Sequence, residues 1–219
     1  HRTFKNDAPK LNGYLDDYAY LVNSLVDVFE ITSDPYFLEM AQNIANYMIE
    51  HFWNTAGKSF YFTSDIHESL IIRPKNYYDL SVPSGNSVAS NALLKLHHLT
   101  HNETFLKISK QILESNGTSA AENPFAFGYL LNVMNLYLNS PTEITIINSE
   151  NSNIVDFLFK KFIPEGFIIS INDEKNLKLL SKYPFFEGKD FSNNTKVTIC
   201  KNFSCSMPLS KLSEIEENL

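Results

Sequence analysis

A mainly α fold, a partial (α/α)6 toroid of helical hairpins followed by a small α/β unit with a parallel sheet, is what the chain predicts. Three observations carry that reading. The stretch Phe29-Glu-Ile-Thr-Ser-Asp-Pro-Tyr-Phe-Leu38 lies over His97-His-Leu-Thr-His-Asn-Glu-Thr-Phe-Leu106 at a shift of 68 positions, with Leu25 falling on Leu93 and Thr32 on Thr100. A weaker third copy starts near Phe125, where Val133 to Leu138 takes the place of Leu93 to His98. Repeated helix pairs cannot each bury their own apolar face and stack on neighbours. The second observation is Leu80-Ser-Val-Pro-Ser-Gly-Asn-Ser-Val-Ala-Ser90, a helix start that follows a long polar loop and opens the second copy. The third is a change of period after Pro141, from helical spacing to strands alternating with helices.

Residues 1–12 are polar and read as irregular. From Tyr14 to about Ile31, Leu15, Tyr18, Ala19, Val22, Leu25, Val26 and Phe29 recur at helical spacing, with Gly13 before the start and Asp16 and Asp17 in the first turn. Asp34-Pro35 gives an N-cap followed by proline at the first helical position, so a second helix runs to about Phe52. Between Asn54 and Pro83 two β-prone runs, Gly57 to Thr63 and Ser69 to Arg73, predict a long insert with a small hairpin. Helices follow over 85–99, 103–115 and 124–138. Beyond the boundary near 140, Glu143 to Ile147, Gly166 to Ile171 and Lys196 to Cys200 read as strands. Helices fall over 154–162 and 174–182, and a short one starts at Leu209. Two domains result, 1–140 and 141–219.

The chain has 219 residues, 43% of them hydrophobic, enough for ordinary packed cores. No apolar run approaches the roughly 20 residues that cross a bilayer, which argues against a membrane role. Net charge is −7 and the basic residues are scattered, so the electrostatic footprint of a nucleic-acid binder is missing. Two cysteines, Cys200 and Cys205, suit a reducing cytoplasmic setting. The sequons at Asn102, Asn116, Asn193 and Asn202 carry no weight in an Asn-rich chain. Beginning at His1 amid polar sequence, the chain is expected to be part of something longer.

In a ring of hairpins the inner helices run the same way, so their N-termini and the outer-to-inner loops meet at one mouth. Unpaired N–H groups and positive helix ends there favour anionic or hydroxyl-rich ligands. This picks out Asp16 and Asp17 as acid/base candidates, of which one at most faces the pocket because adjacent helical positions point about 100° apart. Arg73, Lys75 and Asp79 from the insert, with Ser84 and Asn86 from the next helix start, are ligand-positioning candidates; ordinary loop ion pairs and helix capping are the alternative. Trp53, Phe60, Tyr61, Phe62, Tyr77 and Tyr78 cluster around the insert, where one or two could stack on a sugar ring. His97, His98 and His101 sit at the far end of their helix, so they read as packing or surface residues and no metal is expected. Cys200 and Cys205 form a possible thiol pair, spaced more widely than Cys-x-x-Cys. A structural role is weighed there against a redox or metal one.

Gly13-Tyr-Leu-Asp-Asp-Tyr-Ala19, Arg73-Pro-Lys75, Asp79 with Pro83-Ser-Gly-Asn-Ser87, and Cys200-Lys-Asn-Phe-Ser-Cys205-Ser-Met-Pro208 together resemble, in that order, the YyaL-like family related to spermatogenesis-associated protein 20. Leu80 and Asn76 stand where that pattern has a glycine and an acidic residue. The resemblance implies a thioredoxin-like domain upstream and an (α/α)6 toroid similar to N-acylglucosamine 2-epimerases and six-hairpin glycosidases. A small α/β tail closes the family's pattern, and this chain covers the C-terminal part. The expected function is a carbohydrate-active, epimerase-like or glycosidase-like toroid acting on a sugar or other hydroxyl-rich molecule without a cofactor. The alternative is a non-catalytic binding or scaffold module for the upstream redox domain.

Overall fold

In the computed structural model, which describes residues 1–68, 70–163, 166–201 and 204–219, Leu15, Ala19, Val22, Val26 and Phe29 are fully buried along one stripe of helix α1 (Leu15–Thr32). The sequon at Asn202 and the first residue of the second β-prone run, Ser69, lie outside the described residues. Helix α2 (Pro35–Phe52) buries Leu38, Ala41, Ala45, Met48 and Phe52 in the same way. Truncating one of these, as in Leu38→Ala, costs about 2–5 kcal/mol because the site cannot fully collapse. The same spacing recurs in α3 (Gly85–Thr100) and α4 (Glu103–Glu122), which touch through a buried hydroxyl pair, Ser90 Oγ and Ser109 Oγ, 2.9 Å apart. A 3-10 turn at Pro124–Ala126 precedes α5 (Gly128–Asn139).

The 68-residue repeat extends to the turn chemistry. Ser33 and His101 each adopt left-handed backbone, with φ of 50° and 54°, and each donates its N–H four residues back, to Phe29 O and His97 O. Thr32 Oγ1 donates to Val28 O at 2.8 Å, and Thr100 Oγ1 to Leu96 O at 2.6 Å. Asp34 Oδ1 then accepts the Tyr36 N–H, and Asn102 Oδ1 the Thr104 N–H. A residue that tolerates positive φ followed by an Asx cap stops one helix and starts the next within two positions.

The polar N-terminus is not irregular. Strands β1 (Thr3–Lys5) and β2 (Ala8–Lys10) pair antiparallel, and Asn6 and Asp7 turn between them with φ of 54° and 55°. Two positive φ values make the primed turn that matches strand twist, and Asn and Asp are the non-glycine residues that accept it. In the insert, β3 (Trp53–Asn54) pairs with β4 (Ser59–Phe60), not with the run ending at Arg73; Leu70 to Arg73 form no strand. The insert is instead anchored on both sides. Tyr61 N–H donates to Phe52 O, Phe62 N–H to Pro74 O, and Leu15 N–H to Phe62 O, each at 2.8–2.9 Å.

The chain divides into two units, His1–Val26 with Glu39–Met134, and Asp27–Leu38 with Asn135–Leu219. In the second, Phe29 meets Phe186 edge-on at 6.1 Å. Its four-stranded sheet has the order β6-β5-β7-β8, with β5 (Thr142–Ile147), β6 (Gly166–Ile171), β7 (Lys196–Lys201) and β8 (Ser204–Cys205). Only β5 and β6 run parallel, joined through α6 (Ser152–Lys160). β7 lies antiparallel on the other side of β5, so the sheet is mixed rather than parallel. The reason is the connection. After α7 (Glu174–Leu180) the chain returns through a 3-10 turn at Pro184–Phe186 and a loop, not a crossover helix, and enters β7 from the opposite end. The closing helix α8 is Leu212–Asn218; Leu209, expected to begin it, makes an antiparallel bridge to Val197.

Candidate functional site

The insert and the start of α3 are tied by side chains that mimic backbone. Asn86 Oδ1 accepts the Phe60 N–H at 2.8 Å, while Nδ2 donates to Phe60 O at 3.1 Å and to Asn76 O at 2.8 Å. Its amide behaves as one more strand residue beside β4, and the side chain is spent on the fold. Asp79 does the same for two helix starts. Oδ1 accepts the Ser84 N–H at 2.8 Å, and Oδ2 the Tyr129 and Leu130 N–H groups at 2.8 and 3.3 Å, capping α5. A carboxylate at a helix N-terminus satisfies orphan donors and the positive end of the dipole together. Ser84 is the N-cap of α3, its Oγ accepting the Ser87 N–H at 3.1 Å.

Beside this junction lies a cleft of about 240 Å3 lined by Asp16, Lys75, Asn76, Tyr77, Tyr78 and Ser84, among others. Of the two adjacent aspartates, Asp17 is turned away from it. Its Oδ2 accepts the Tyr14 N–H at 2.8 Å, closing the first turn of α1, and pairs with Arg2 Nε at 3.1 Å. Asp16 faces the cleft. Its Oδ1 is buried with no hydrogen-bond partner and abuts Gly85, where a Cβ would collide with it. Glycine at the first position of α3 is what admits that carboxylate.

Burial pushes the Asp16 carboxyl above the ordinary aspartate range, and the negative charge of Asp17 adds to the effect; Arg2 and the Gly85 N–H pull the other way. A carboxyl that keeps its proton to higher pH can donate a hydrogen bond or act as an acid. Tyr20, one helical turn on, is affected similarly. Desolvation raises its hydroxyl pKa, with Asp16, Tyr129 and Asp79 contributing, while its Oη donates to Pro83 O at 2.9 Å. The i to i+4 spacing from Asp16 was the signal in the sequence that could have found it.

Arg73 and Lys75 diverge. The Arg73 guanidinium stacks on Tyr61 at 4.1 Å and donates to His51 O and Thr63 O, so it holds the insert to the end of α2. Lys75 Nζ lies 4.9 Å from the Tyr61 ring, close against Gly57, and lines the cleft. Two contacts in the insert went unread in the sequence. His51 Nδ1 lies 2.8 Å from Asp65 Oδ1, and Ser64 Oγ lies 2.6 Å from His67 Nδ1. Ser64 is buried and His67 stacks on Tyr14 at 5.2 Å, so this Ser–His pair is a staple rather than a nucleophile with its base.

His97 and His98 in α3, and His101 at its C-cap, lie at the opposite end of that helix. His97 is buried, its Nδ1 3.2 Å from Asn102 O, and desolvation lowers its pKa. Among the described residues no group of three or more His, Cys, Asp or Glu is placed to hold a metal ion. In the second unit Cys200 and Cys205 are joined in a disulfide. No described helix is long and apolar enough to cross a membrane.

No protein-family profile matches the chain. It is similar to spermatogenesis-associated protein 20 of Homo sapiens, at 22% identity over 223 residues, and to that of Rattus norvegicus at 23% over the same length. An uncharacterized protein of Caenorhabditis elegans is 22% identical over 212 residues. The alignments to the two mammalian proteins cover 99% of this chain, so the family likeness read from four short motifs extends along essentially all of it. The chain spans 28% of the length of these relatives.

Proposed function

We propose that the chain is the C-terminal part of a toroid of helical hairpins, and that the rim beside Asp16 is one wall of a site for a sugar or similarly hydroxyl-rich molecule. The observation that carries this reading is the single carboxyl that faces the cleft with an unengaged buried oxygen, beside the N-terminus of α3. A ligand hydroxyl in the cleft would meet the exposed side of this carboxyl, and Lys75 and the Ser84 turn would orient it. In an epimerase-like or glycosidase-like reaction Asp16, and not Asp17, is the acid/base candidate, because Asp17 is engaged by Tyr14 and Arg2. An upstream thioredoxin-like domain belongs to the same proposal and rests on the family likeness; a cytoplasmic setting rests on the chain's having two cysteines, and the Cys200–Cys205 disulfide weighs against it.

The test is calorimetric titration of the full-length protein with a panel of monosaccharides. Binding heat in the parent, kept in Asp17→Asn and lost in Asp16→Asn with folding confirmed by circular dichroism, is the expected result. No heat with any sugar in the parent would sink it.

A second reading, a non-catalytic scaffold for the upstream domain, draws on a separate observation. Asp17, Arg73, Asp79 and Asn86 are all occupied in holding the chain together. Parent protein that binds no sugar but binds the separately expressed upstream domain would favour it.

A further inference from the structure

Strand alternation in the second unit sorts two chemistries onto two faces of the sheet. Ile144, Ile146, Val197 and Ile199 point into a core with Ile154, Leu158 and Ile215. On the other face, Glu143 stands opposite Cys200 across β5 and β7, and Cys200 opposite Cys205 across β7 and β8. Directly opposed residues project from the same face, so Glu143, Cys200 and Cys205 form one row.

The two bonded sulfur residues differ in access. Cys200 is 3% exposed, while Cys205 is exposed and lines a cleft of about 230 Å3 with Lys189, Lys196, Thr198 and Ser206, and with the acidic Glu187 and Asp190. Lys189 is buried enough that desolvation lowers its pKa, and Glu143, in the row with the sulfurs, acts on it electrostatically in the opposite sense. Lys189 Nζ donates to Phe185 O and packs on that ring, so its charge acts from the wall of the cleft that Cys205 also lines; a positive charge there favours the negative charge that spreads over the sulfurs during exchange.

We propose that the Cys200–Cys205 disulfide is a thiol-exchange site, entered at Cys205 by a low-molecular-weight thiol, with Lys189 as the electrostatic positioning residue. The thiolate attacks Cys205 Sγ in line with the existing bond. A new S–S bond forms between the thiol and Cys205 as the Cys200–Cys205 bond breaks. Cys200 leaves with the electron pair as a thiolate and takes a proton from water. The first exchange leaves the number of disulfides unchanged; over both steps the small thiol is the reductant, two of its molecules joining as one disulfide while Cys200 and Cys205 each end as a thiol protonated from water. A second thiolate then attacks the mixed disulfide at the small molecule's sulfur, frees Cys205, and departs as the oxidised dimer of the thiol. The site is independent of the Asp16 cleft.

The experiment is exposure of the native full-length protein to reduced glutathione, followed by acid quench and peptide mass spectrometry over time. Expected is a glutathione adduct on Cys205, with Cys200 as the free thiol, formed without denaturant. Lys189→Met slows adduct formation by about 2- to 5-fold, the size of a modest charge interaction. An adduct on Cys200, reaction only after unfolding, two free thiols in the protein as purified, or a Lys189→Met rate equal to the parent's would each overturn the proposal. Should Lys189→Met fail to fold, the position of the adduct in the parent still decides between exchange at Cys205 and a buried, inert bond.

Discussion

Asn91 Nδ2 donates to Asn23 Oδ1 at 2.8 Å, and these two asparagines hold the same place in successive hairpins, 68 positions apart. Asn91 also donates to Tyr129 Oη at 3.1 Å, so a short polar ladder ties α1, α3 and α5 in chain order. Helices related by the repeat thus meet through equivalent side chains. An asparagine is suited to this because one amide both donates and accepts.

The ladder predicts energetic coupling. In urea denaturation, Asn23→Ala and Asn91→Ala each lower stability, and their double-mutant cycle gives an interaction of about 0.5–1.5 kcal/mol. Additive effects would show that the pair makes no net contribution.

Asp79 is predicted to matter for stability whatever binds nearby. Asp79→Ala strands the Ser84, Tyr129 and Leu130 N–H groups and costs about 2–3 kcal/mol in chemical denaturation. Asp79→Asn, which keeps an acceptor but loses the charge at the α5 dipole, falls between alanine and the parent.

Asn86 gives a sharper contrast. Asn86→Asp removes both donors and sets a carboxylate against Phe60 O and Asn76 O, so it destabilises more than Asn86→Ala. The reverse order would mean that the amide is not the link between β4 and α3.

The helices were legible because nothing contests a 3.6-residue stripe as clear as Leu15 to Phe29, and the Asp34-Pro35 start has one physical meaning. The N-terminal hairpin was missed because its three-residue strands show no apolar alternation; only Asn6-Asp7 pointed to it. Strand direction in the sheet was misread because alternating strands and helices say little about the path between them, and the return to β7 uses no crossover helix. At the site, helical geometry said that one of Asp16 and Asp17 at most could face the cleft, but not which; that depends on Tyr14 and Arg2 claiming Asp17. Asn86 looked like a cap because its partner Phe60 lies 26 residues away, beyond any local pattern.

Acid is predicted to weaken the fold through His97. Burial holds its folded pKa below the 6.5 of the unfolded chain, so the unfolded state binds the proton more readily. That contribution to stability is complete above about pH 6.5 and is lost as pH falls through the folded value. Thermal unfolding followed from pH 7.5 to 5 shows the decline, and His97→Gln, which keeps a donor for Asn102 O, flattens this part of the curve.

Carbon-13 NMR titration of the aspartate side chains measures the raised carboxyl of Asp16 directly. Asp16 is expected to release its proton above the ordinary aspartate value of 3.8, and the Gly85 amide to shift with the same midpoint. An Asp16 that titrates at or below that value, with Gly85 unmoved, would contradict a carboxyl buried against the N-terminus of α3 with Oδ1 lacking a partner.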